Sequence, residues 1–254
     1  VGDAGITIAK GLDVPVTTGD AYTISIAVEA LREAAKLMNI DLAQSTAAVV
    51  GAGGTIGRVC AELLAEDVSK LCLLGRHIEP LEKLKAKLDV SSQADLQSST
   101  DLSLLADADL ILTVTSAVNE DVIRPEHLRA GSVVCDVARP RDVSAMVAAA
   151  RDDILVIDGG MVDIPGLVDF HFDFGFPEGK AYACMAETMA LALEGRFEDY
   201  TLGKEITRTR VDEITEIAKK HGFCLSGFRS FEKEITSAQI EAVRRSAVKR
   251  NAKT

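Results

Sequence analysis

The sequence predicts an α/β protein with a Rossmann-like, doubly wound parallel sheet and flanking helices from both ends of the chain. From Ala47 onward, β-prone apolar runs alternate with helical runs through short links, as they do when helices cover both faces of a parallel sheet. Four glycines fall within seven positions directly after the first of these runs, where such a sheet has its sharp strand-to-helix turn. Apolar residues also recur at helical spacing before and after this region.

The pattern places each element in turn. Strands are expected near 47–51, 70–74, 109–114, 132–137 and 154–158, and helices near 55–66, 78–88, 101–106, 125–129 and 142–150. Ile6-Thr7-Ile8 is interpreted as an edge strand, and the polar segment from Asp89 to Thr100 as a loop. Outside the alternating region, helices are expected over 23–38, 180–194, 204–220 and 237–249.

The glycine-rich turn from Gly51 to Gly57 predicts a dinucleotide site. Without Cβ atoms the backbone can turn sharply and approach a pyrophosphate, which then faces the N–H groups and positive end of the next helix. The spacing departs from strict G-x-G-x-x-G because position 56 is Ile, and a tight turn without a ligand is the alternative. The expected contacts are Gly51, Gly53, Gly54, Thr55 and Ile56.

The end of the second strand-like run indicates which dinucleotide binds. It closes with Gly75-Arg76-His77, without the Asp or Glu that usually binds the ribose 2′-hydroxyl of NAD. Arg76 offers a guanidinium to a 2′-phosphate instead, so NADPH is the expected cofactor. A solvated arginine at a strand end is the alternative.

Two more loops are expected to line the cofactor, because ligands bind beyond the carboxyl ends of the strands in such sheets. Thr115 and Ser116 follow the third of the five predicted strands. Asp158, Gly159 and Gly160 follow the last one.

Composition excludes several function classes. The 254 residues carry a net charge of −11, which argues against a broad nucleic-acid surface. There is no tract of eighteen or more apolar residues, so no transmembrane helix is expected. The five cysteines include no C-x-x-C pair, which fits a reducing cytoplasm. Since the chain begins at Val1, a fragment or a processed product is expected.

Cys184 is the candidate nucleophile. It lies in the first turn of a helical run that follows the break Pro177-Glu178-Gly179. A helix N-terminus favours thiolate, and Lys180 lies one turn earlier. The alternative is a small apolar cysteine in a buried helix. His171 is a candidate proton donor, with a packed histidine as its alternative.

Several of these segments together resemble one family. They are Thr17-Thr18-Gly19-Asp20, Asn39-Ile40-Asp41, Val49 through Gly57, Asp158-Gly159-Gly160, Ala183-Cys184-Met185-Ala186-Glu187 and His221-Gly222-Phe223. They are similar to the long-chain acyl-[acyl-carrier-protein] reductases of cyanobacteria, which make fatty aldehydes. The resemblance runs from about Thr17 to Phe223 and does not include the N-terminal domain that members of that family have.

The resemblance implies a function. In that family the cysteine matching Cys184 carries the acyl group as a thioester, which NADPH reduces. The partner would be an acyl carrier protein or a CoA-linked acyl substrate. Thr17, Thr18 and Asp20 belong to the same pattern and are candidate substrate-binding residues.

We therefore expect an N-terminal segment over 1–45, an NADPH-binding domain over 46–175, and a helical segment carrying Cys184 over 176–254. One alternative is a dehydrogenase without covalent catalysis, similar to shikimate or methylene-tetrahydrofolate dehydrogenases. A glutamyl-tRNA reductase is similar in chemistry, but its cysteine precedes the nucleotide domain. Another alternative is a non-enzymatic NADPH-binding module.

The end of the chain carries a basic tail, which consists of Arg244, Arg245, Lys249, Arg250 and Lys253. This tail is a candidate docking site for an acidic carrier, and a solvated helix is the alternative.

Overall fold

A computed structural model describes residues 3–117, 122–173 and 175–252 of the chain. The chain folds into two compact units, each assembled from two separate segments. The sheet unit comprises residues 30–159 and 228–254, and the cysteine unit comprises residues 1–29 and 160–227. This division differs from the three consecutive segments 1–45, 46–175 and 176–254 expected from the sequence. Residues 160–175 belong to the cysteine unit, and residues 228–254 belong to the sheet unit.

The helices alternate with the strands of the sheet much as the sequence predicts. Those of the chain are α1 (Ile6–Gly11), α2 (Asp20–Leu37), α3 (Thr55–Leu64), α4 (Ile78–Leu88), α5 (Ala145–Ala150), α6 (Ala183–Glu194), α7 (Arg208–Lys220) and α8 (Ser237–Asn251). Short 3-10 turns at Leu102–Asp107 and Pro125–His127 replace two of the expected helices. The helix expected over 23–38 begins three residues earlier, at Asp20.

The sheet unit contains a parallel sheet. Its strands are β1 (Thr46–Val50), β2 (Lys70–Leu74), β3 (Asp95–Ser99), β4 (Leu110–Thr113), β5 (Val133–Asp136) and β6 (Leu155–Asp158). They lie in the order β3-β2-β1-β4-β5-β6, and each neighbouring pair is parallel. This is the strand order of doubly wound dinucleotide-binding sheets, so the predicted fold class is confirmed. All residues of β4, β5 and β6 are buried, as expected for strands with both faces covered.

Two expectations about local structure are wrong. The polar segment Asp89 to Thr100 contains β3, which is an edge strand with β2 as its one neighbour in the sheet. Leu96 is its one buried residue, so the strand lacks an apolar signature. The segment Ile6-Thr7-Ile8 belongs to α1 instead of a strand, and Asp3 holds that helix start by accepting a 2.8 Å hydrogen bond from Thr7 N–H.

The cysteine unit contains a small antiparallel sheet next to α6 and α7. Its strands are β7 (Met161–Asp163), β8 (Lys180–Tyr182) and β9 (Cys224–Leu225), with β7 in the middle. Because residues 180–182 pair with β7, α6 begins at Ala183 rather than at 180 as expected. It ends at Gly195, whose φ of 74° is the left-handed conformation that commonly stops helices.

The last segment of the chain belongs to the sheet unit. The short strands β10 (Arg229–Ser230) and β11 (Lys233–Glu234) pair antiparallel before α8 begins. Arg250 of α8 forms an ion pair with Asp153 at 3.2 Å. The basic tail is therefore partly engaged in the fold, and its member Lys253 lies outside the described residues. In the part of the chain that the structure describes, no helix is both long and apolar enough to cross a membrane.

Candidate active site

The glycine turn between β1 and α3 is built by close backbone contacts. Gly51 has a φ of +90°, and a Cβ there would lie 2.7 Å from the carbonyl oxygen of Val114. A Cβ on Gly57 would lie 2.2 Å from the carbonyl oxygen of Gly51. No side chain fits at either position, so the strand, the turn and the first turn of α3 pack backbone against backbone.

This turn fits the pyrophosphate of a dinucleotide. Gly54 caps α3 without a side-chain hydrogen bond, and Gly53 and Gly54 are exposed. The first N–H groups of α3, at Thr55 and Ile56, therefore have no capping side chain in front of them. The turn lies where β1 adjoins β4, the point at which the strand order reverses and where such sheets bind their ligands.

Arg76 lies in the loop directly beside the glycine turn. The N–H of Gly51 donates a 2.8 Å hydrogen bond to the carbonyl of Leu74, so the loops after β1 and β2 leave the sheet side by side. The Arg76 side chain is exposed, and within the described residues it has no hydrogen bond or ion pair. Its guanidinium is therefore available to an anion bound next to the turn.

Thr115 is held in place by an acid that the sequence analysis missed. Asp142 is 1% exposed and accepts hydrogen bonds from the Thr113 hydroxyl, the Thr115 hydroxyl and, at 2.9 Å, the Thr115 N–H. These bonds fix the loop after β4 next to the glycine turn, whereas Ser116 is exposed. An aspartate in the loop Arg139 to Asp142 gives no sequence signal that separates it from a solvated loop acid.

The loop after β6 lies farther along the sheet. β6 is two strands beyond β4, about 10 Å away at normal strand spacing. The Asp158 carboxylate forms an ion pair with Arg141, and Gly159 N–H donates a 3.1 Å hydrogen bond to the carbonyl of Asp136. Gly160 belongs to the cysteine unit. The cofactor-binding role of these three residues stays a prediction.

In the cysteine unit, the start of α2 lies directly against the start of α6. Gly19 has a φ of +78°, and a Cβ there would lie 2.3 Å from Cys184 Cα and 2.4 Å from the Cys184 carbonyl oxygen. The structure thus brings the turn that contains Thr17, Thr18 and Asp20 next to Cys184. These residues are more than 160 positions apart in the chain, so their proximity is a tertiary effect.

Glu187 is the second acid that the sequence analysis missed. It lies one helical turn after Cys184 and is 0% exposed. It accepts hydrogen bonds from the hydroxyls of Thr17 and Thr201 and, at 2.8 Å, from the N–H of Tyr22. The sequence carried two signals that were given no role: an acid within an otherwise apolar helical run, and its place in the Ala183–Glu187 pattern.

The partners of Glu187 all donate. The Thr17 hydroxyl oxygen accepts from the N–H groups of Gly19 and Thr201, at 3.3 and 3.2 Å, so its proton goes to Glu187. Burial raises the pKa of Glu187, and the hydrogen bonds from Thr17, Tyr22 and Thr201 oppose that shift. Since an ionised carboxylate only accepts, this set of donors matches the ionised form.

The surroundings of Cys184, which is half-buried, favour the thiol over the thiolate. Burial raises the pKa of Cys184, the N–H of Met185 lowers it, and the nearby Asp20 and Glu187 raise it further. The proton must therefore be removed when the sulfur reacts, since the thiolate is the nucleophile.

The expectation that Lys180 favours a thiolate at Cys184 is wrong. Its Nζ donates to Asp163 Oδ1 at 2.8 Å and to the hydroxyl of Ser226. The lysine lies in β8 and neutralises Asp163, so it does not favour a thiolate at Cys184.

The other cysteines and His171 differ in how far they are buried. Cys60, Cys72 and Cys135 are buried, as a structural role requires, and Cys224 is exposed. His171 is exposed and its Nδ1 lies 3.1 Å from an Asp169 carboxylate oxygen, so the packed alternative is wrong for it.

A family model matches the first segment of the sheet unit. The family model described as Shikimate / quinate 5-dehydrogenase matches residues 32–158, half of the chain. This range begins and ends within two residues of the first segment of the sheet unit, 30–159.

Two relatives match more of the chain. Aminotransferase PigE from Serratia sp. is 34% identical over 249 residues, which cover 96% of this chain and 29% of that protein. A long-chain acyl-[acyl-carrier-protein] reductase from Synechococcus elongatus is 33% identical over 214 residues, which cover 82% of this chain and 61% of that protein. The chain thus spans less than two thirds of either relative.

Among solved structures, glutamyl-tRNA reductase from Methanopyrus kandleri is 18% identical, with a TM-score of 0.43. The match covers 89% of this chain and 44% of that one.

Replacing Gly57 by alanine should disrupt the turn. The new Cβ would overlap the backbone oxygen of Gly51, so Gly57→Ala is expected to lower the free energy of unfolding by more than about 2 kcal/mol. The matched control is Gly11→Ala, where the Cβ meets nothing within 4 Å and stability should stay equal or rise slightly. Urea unfolding of both variants gives the comparison, and equal stability would contradict the packing argument.

Removing the Glu187 carboxylate should destabilise the cysteine unit. Glu187→Ala leaves two buried donors and one partly buried donor without their acceptor and is expected to cost about 3 kcal/mol of unfolding free energy. Glu187→Gln keeps the shape but turns a donor toward donors, so it should also lose at least about 1 kcal/mol. The control is Glu216→Ala, an exposed helical position expected to change stability by less than about 0.5 kcal/mol. A fully stable glutamine variant would show that the network does not need the ionised acid.

Proposed function

The chain belongs to the Shikimate / quinate 5-dehydrogenase family, and from this premise we propose that it is an NADPH-dependent reductase of acyl thioesters. In this reaction Cys184 holds the acyl group as a thioester, and the product is an aldehyde. The observation that carries the proposal is the contact of Gly19 with Cys184, which gathers the turn Thr17–Asp20 around a half-buried thiol. The relative named long-chain acyl-[acyl-carrier-protein] reductase, 33% identical over 82% of the chain, supports it.

The first step is acyl transfer to the chain's own cysteine. The Cys184 sulfur attacks the carbonyl carbon of the acyl thioester, and the bond from that carbon to the carrier sulfur breaks. One proton passes from the Cys184 thiol to the departing carrier sulfur. N–H groups at the start of α6 would stabilise the oxyanion that forms on the way.

The sheet unit supplies the cofactor site for the second step. NADPH, when bound, supplies a hydride to the acyl carbon, and with one further proton this yields the aldehyde and the original thiol. The glycine turn would hold the pyrophosphate, Arg76 the 2′-phosphate, and Thr115, fixed by Asp142, would border the nicotinamide end.

The acyl donor is an acyl carrier protein or CoA. Both present a thioester on a flexible arm, and both carry negative charge near it. The basic residues of α8 are predicted to dock the acidic carrier. Among them, Arg245 and Lys249 are exposed on one face of the helix.

The covalent step gives the first test. Wild-type protein mixed with an acyl-CoA and no NADPH should gain the mass of one acyl group, and Cys184→Ser should gain none, because a serine hydroxyl is far less ionised. Cys224→Ser, which changes an exposed cysteine of the same unit, is the control and should label fully. If the protein binds NADPH but Cys184 never labels, a dehydrogenase without covalent catalysis or a binding module becomes the better explanation.

Cofactor choice gives the second test. Arg76→Ala should weaken NADPH binding about tenfold to a hundredfold, which is a loss of roughly 1.5–3 kcal/mol for a charge-assisted contact to phosphate. NADH binding should stay nearly unchanged. Lys83→Ala, which removes another exposed cation of the sheet unit, controls for net charge. Fluorescence titration with both cofactors measures this, and equal weakening of the two would show that Arg76 is structural.

A further inference from the structure

Three ionisable side chains gather where α2 meets α6 in the cysteine unit. Cys184 and Glu187 lie one turn apart on α6, and Asp20 is the first residue of α2. The backbone of Gly19, next to Asp20, packs against Cys184 with no room for a side chain. Asp20 acts electrostatically on both Cys184 and Glu187, so the three groups form one cluster.

The two acids of this cluster are held differently. Glu187 is fully buried and accepts from three donors, so taking up a proton would disrupt hydrogen bonds that hold the start of α2 against α6. Asp20 is half-buried, and burial raises its pKa more than the effect of Thr18 lowers it. The Thr18 hydroxyl donates to the carbonyl oxygen of Thr201 at 3.1 Å, so Asp20 is not held by a set of donors as Glu187 is.

We infer that Asp20 carries the proton of the acyl-transfer step from the Cys184 thiol to the departing carrier sulfur; this rests on the proposed function. As the Cys184 sulfur bonds to the acyl carbon, its proton moves to an Asp20 carboxylate oxygen. As the bond between the acyl carbon and the carrier sulfur breaks, the same proton moves to that sulfur. Asp20 ends the step ionised, and no other reactant is needed.

The electrostatics of the cluster suit this role. Burial raises the pKa of Asp20, which makes its carboxylate a stronger base than a solvated one. Burial also raises the pKa of Cys184, so the thiol needs a base at neutral pH.

The experiment compares two thioesters of the same acyl group, one with CoA and one with thiophenol, on the whole chain without NADPH. Asp20→Asn should slow acylation of Cys184 by acyl-CoA about a hundredfold, a common size for lost acid–base catalysis. With the thiophenyl ester the loss should be at least about tenfold smaller, because a thiol of lower pKa leaves without being protonated and Asp20 then serves only the deprotonation of Cys184. Alkylation of Cys184 by iodoacetamide should not slow, since removing a nearby negative charge favours the thiolate.

Controls separate a chemical role from a structural one. Asp20→Glu keeps the carboxylate and should retain acylation by acyl-CoA within about tenfold. Asp13→Asn, an exposed position in the same unit, should change nothing. If Asp20→Asn does not fold, Asp20→Ser allows the same comparison of thioesters, because serine is well accepted at helix starts.

The outcomes of this experiment distinguish the role of Asp20 from the proposed function. Equal slowing with both thioesters, or slowed alkylation, would overturn the inference and leave Asp20 a structural residue. Unchanged acylation by acyl-CoA in Asp20→Asn would overturn it while the proposed function stands. If the wild-type protein is alkylated at Cys184 but acylated by neither thioester, the proposed function falls and the role of Asp20 falls with it.

Discussion

The buried carboxylate of Glu187 is the interaction on which the cysteine unit depends. It accepts hydrogen bonds from Thr17, Tyr22 and Thr201, which belong to segments at both ends of the unit's sequence. Each bond is charge-assisted and withdrawn from water, so losing one would leave a buried group unpaired. By fixing the start of α2 against α6, the acid holds Gly19 against Cys184, and the candidate nucleophile is placed by this network.

The sheet unit is built on the same principle with a different acid. Asp142 accepts from two threonine hydroxyls and one N–H, and it fixes the loop after β4 beside the glycine turn. In both units a glycine permits a close backbone approach, and a buried acid bound by threonines stops the loop from moving away. A rigid loop costs less to order when a ligand binds, which favours binding and positioning.

The family match and the candidate nucleophile lie in different parts of the chain. The family match covers residues 32–158 and nearly coincides with the first segment of the sheet unit. Such sheets bind dinucleotides in proteins of many activities, so this unit indicates the cofactor and leaves the substrate open. The candidate nucleophile lies in the cysteine unit, which the family match does not reach. The proposed substrate class therefore rests on Cys184, Asp20 and Glu187, which lie in the cysteine unit.

The sequence by itself determined the local features. Hydrophobic periodicity gave five of the six strands described in the parallel sheet, the glycine spacing gave the turn, and a proline–glycine break indicated the helix that carries Cys184. It failed at β3, because an edge strand buries too little to show an apolar pattern. Only the tertiary structure decided that Glu187 joins Thr17 across 170 positions and that Gly19, next to Asp20, packs against Cys184. It also decided that the pKa of Cys184 is raised, because burial and the charge of Asp20, which is remote in sequence, depend on how the chain folds.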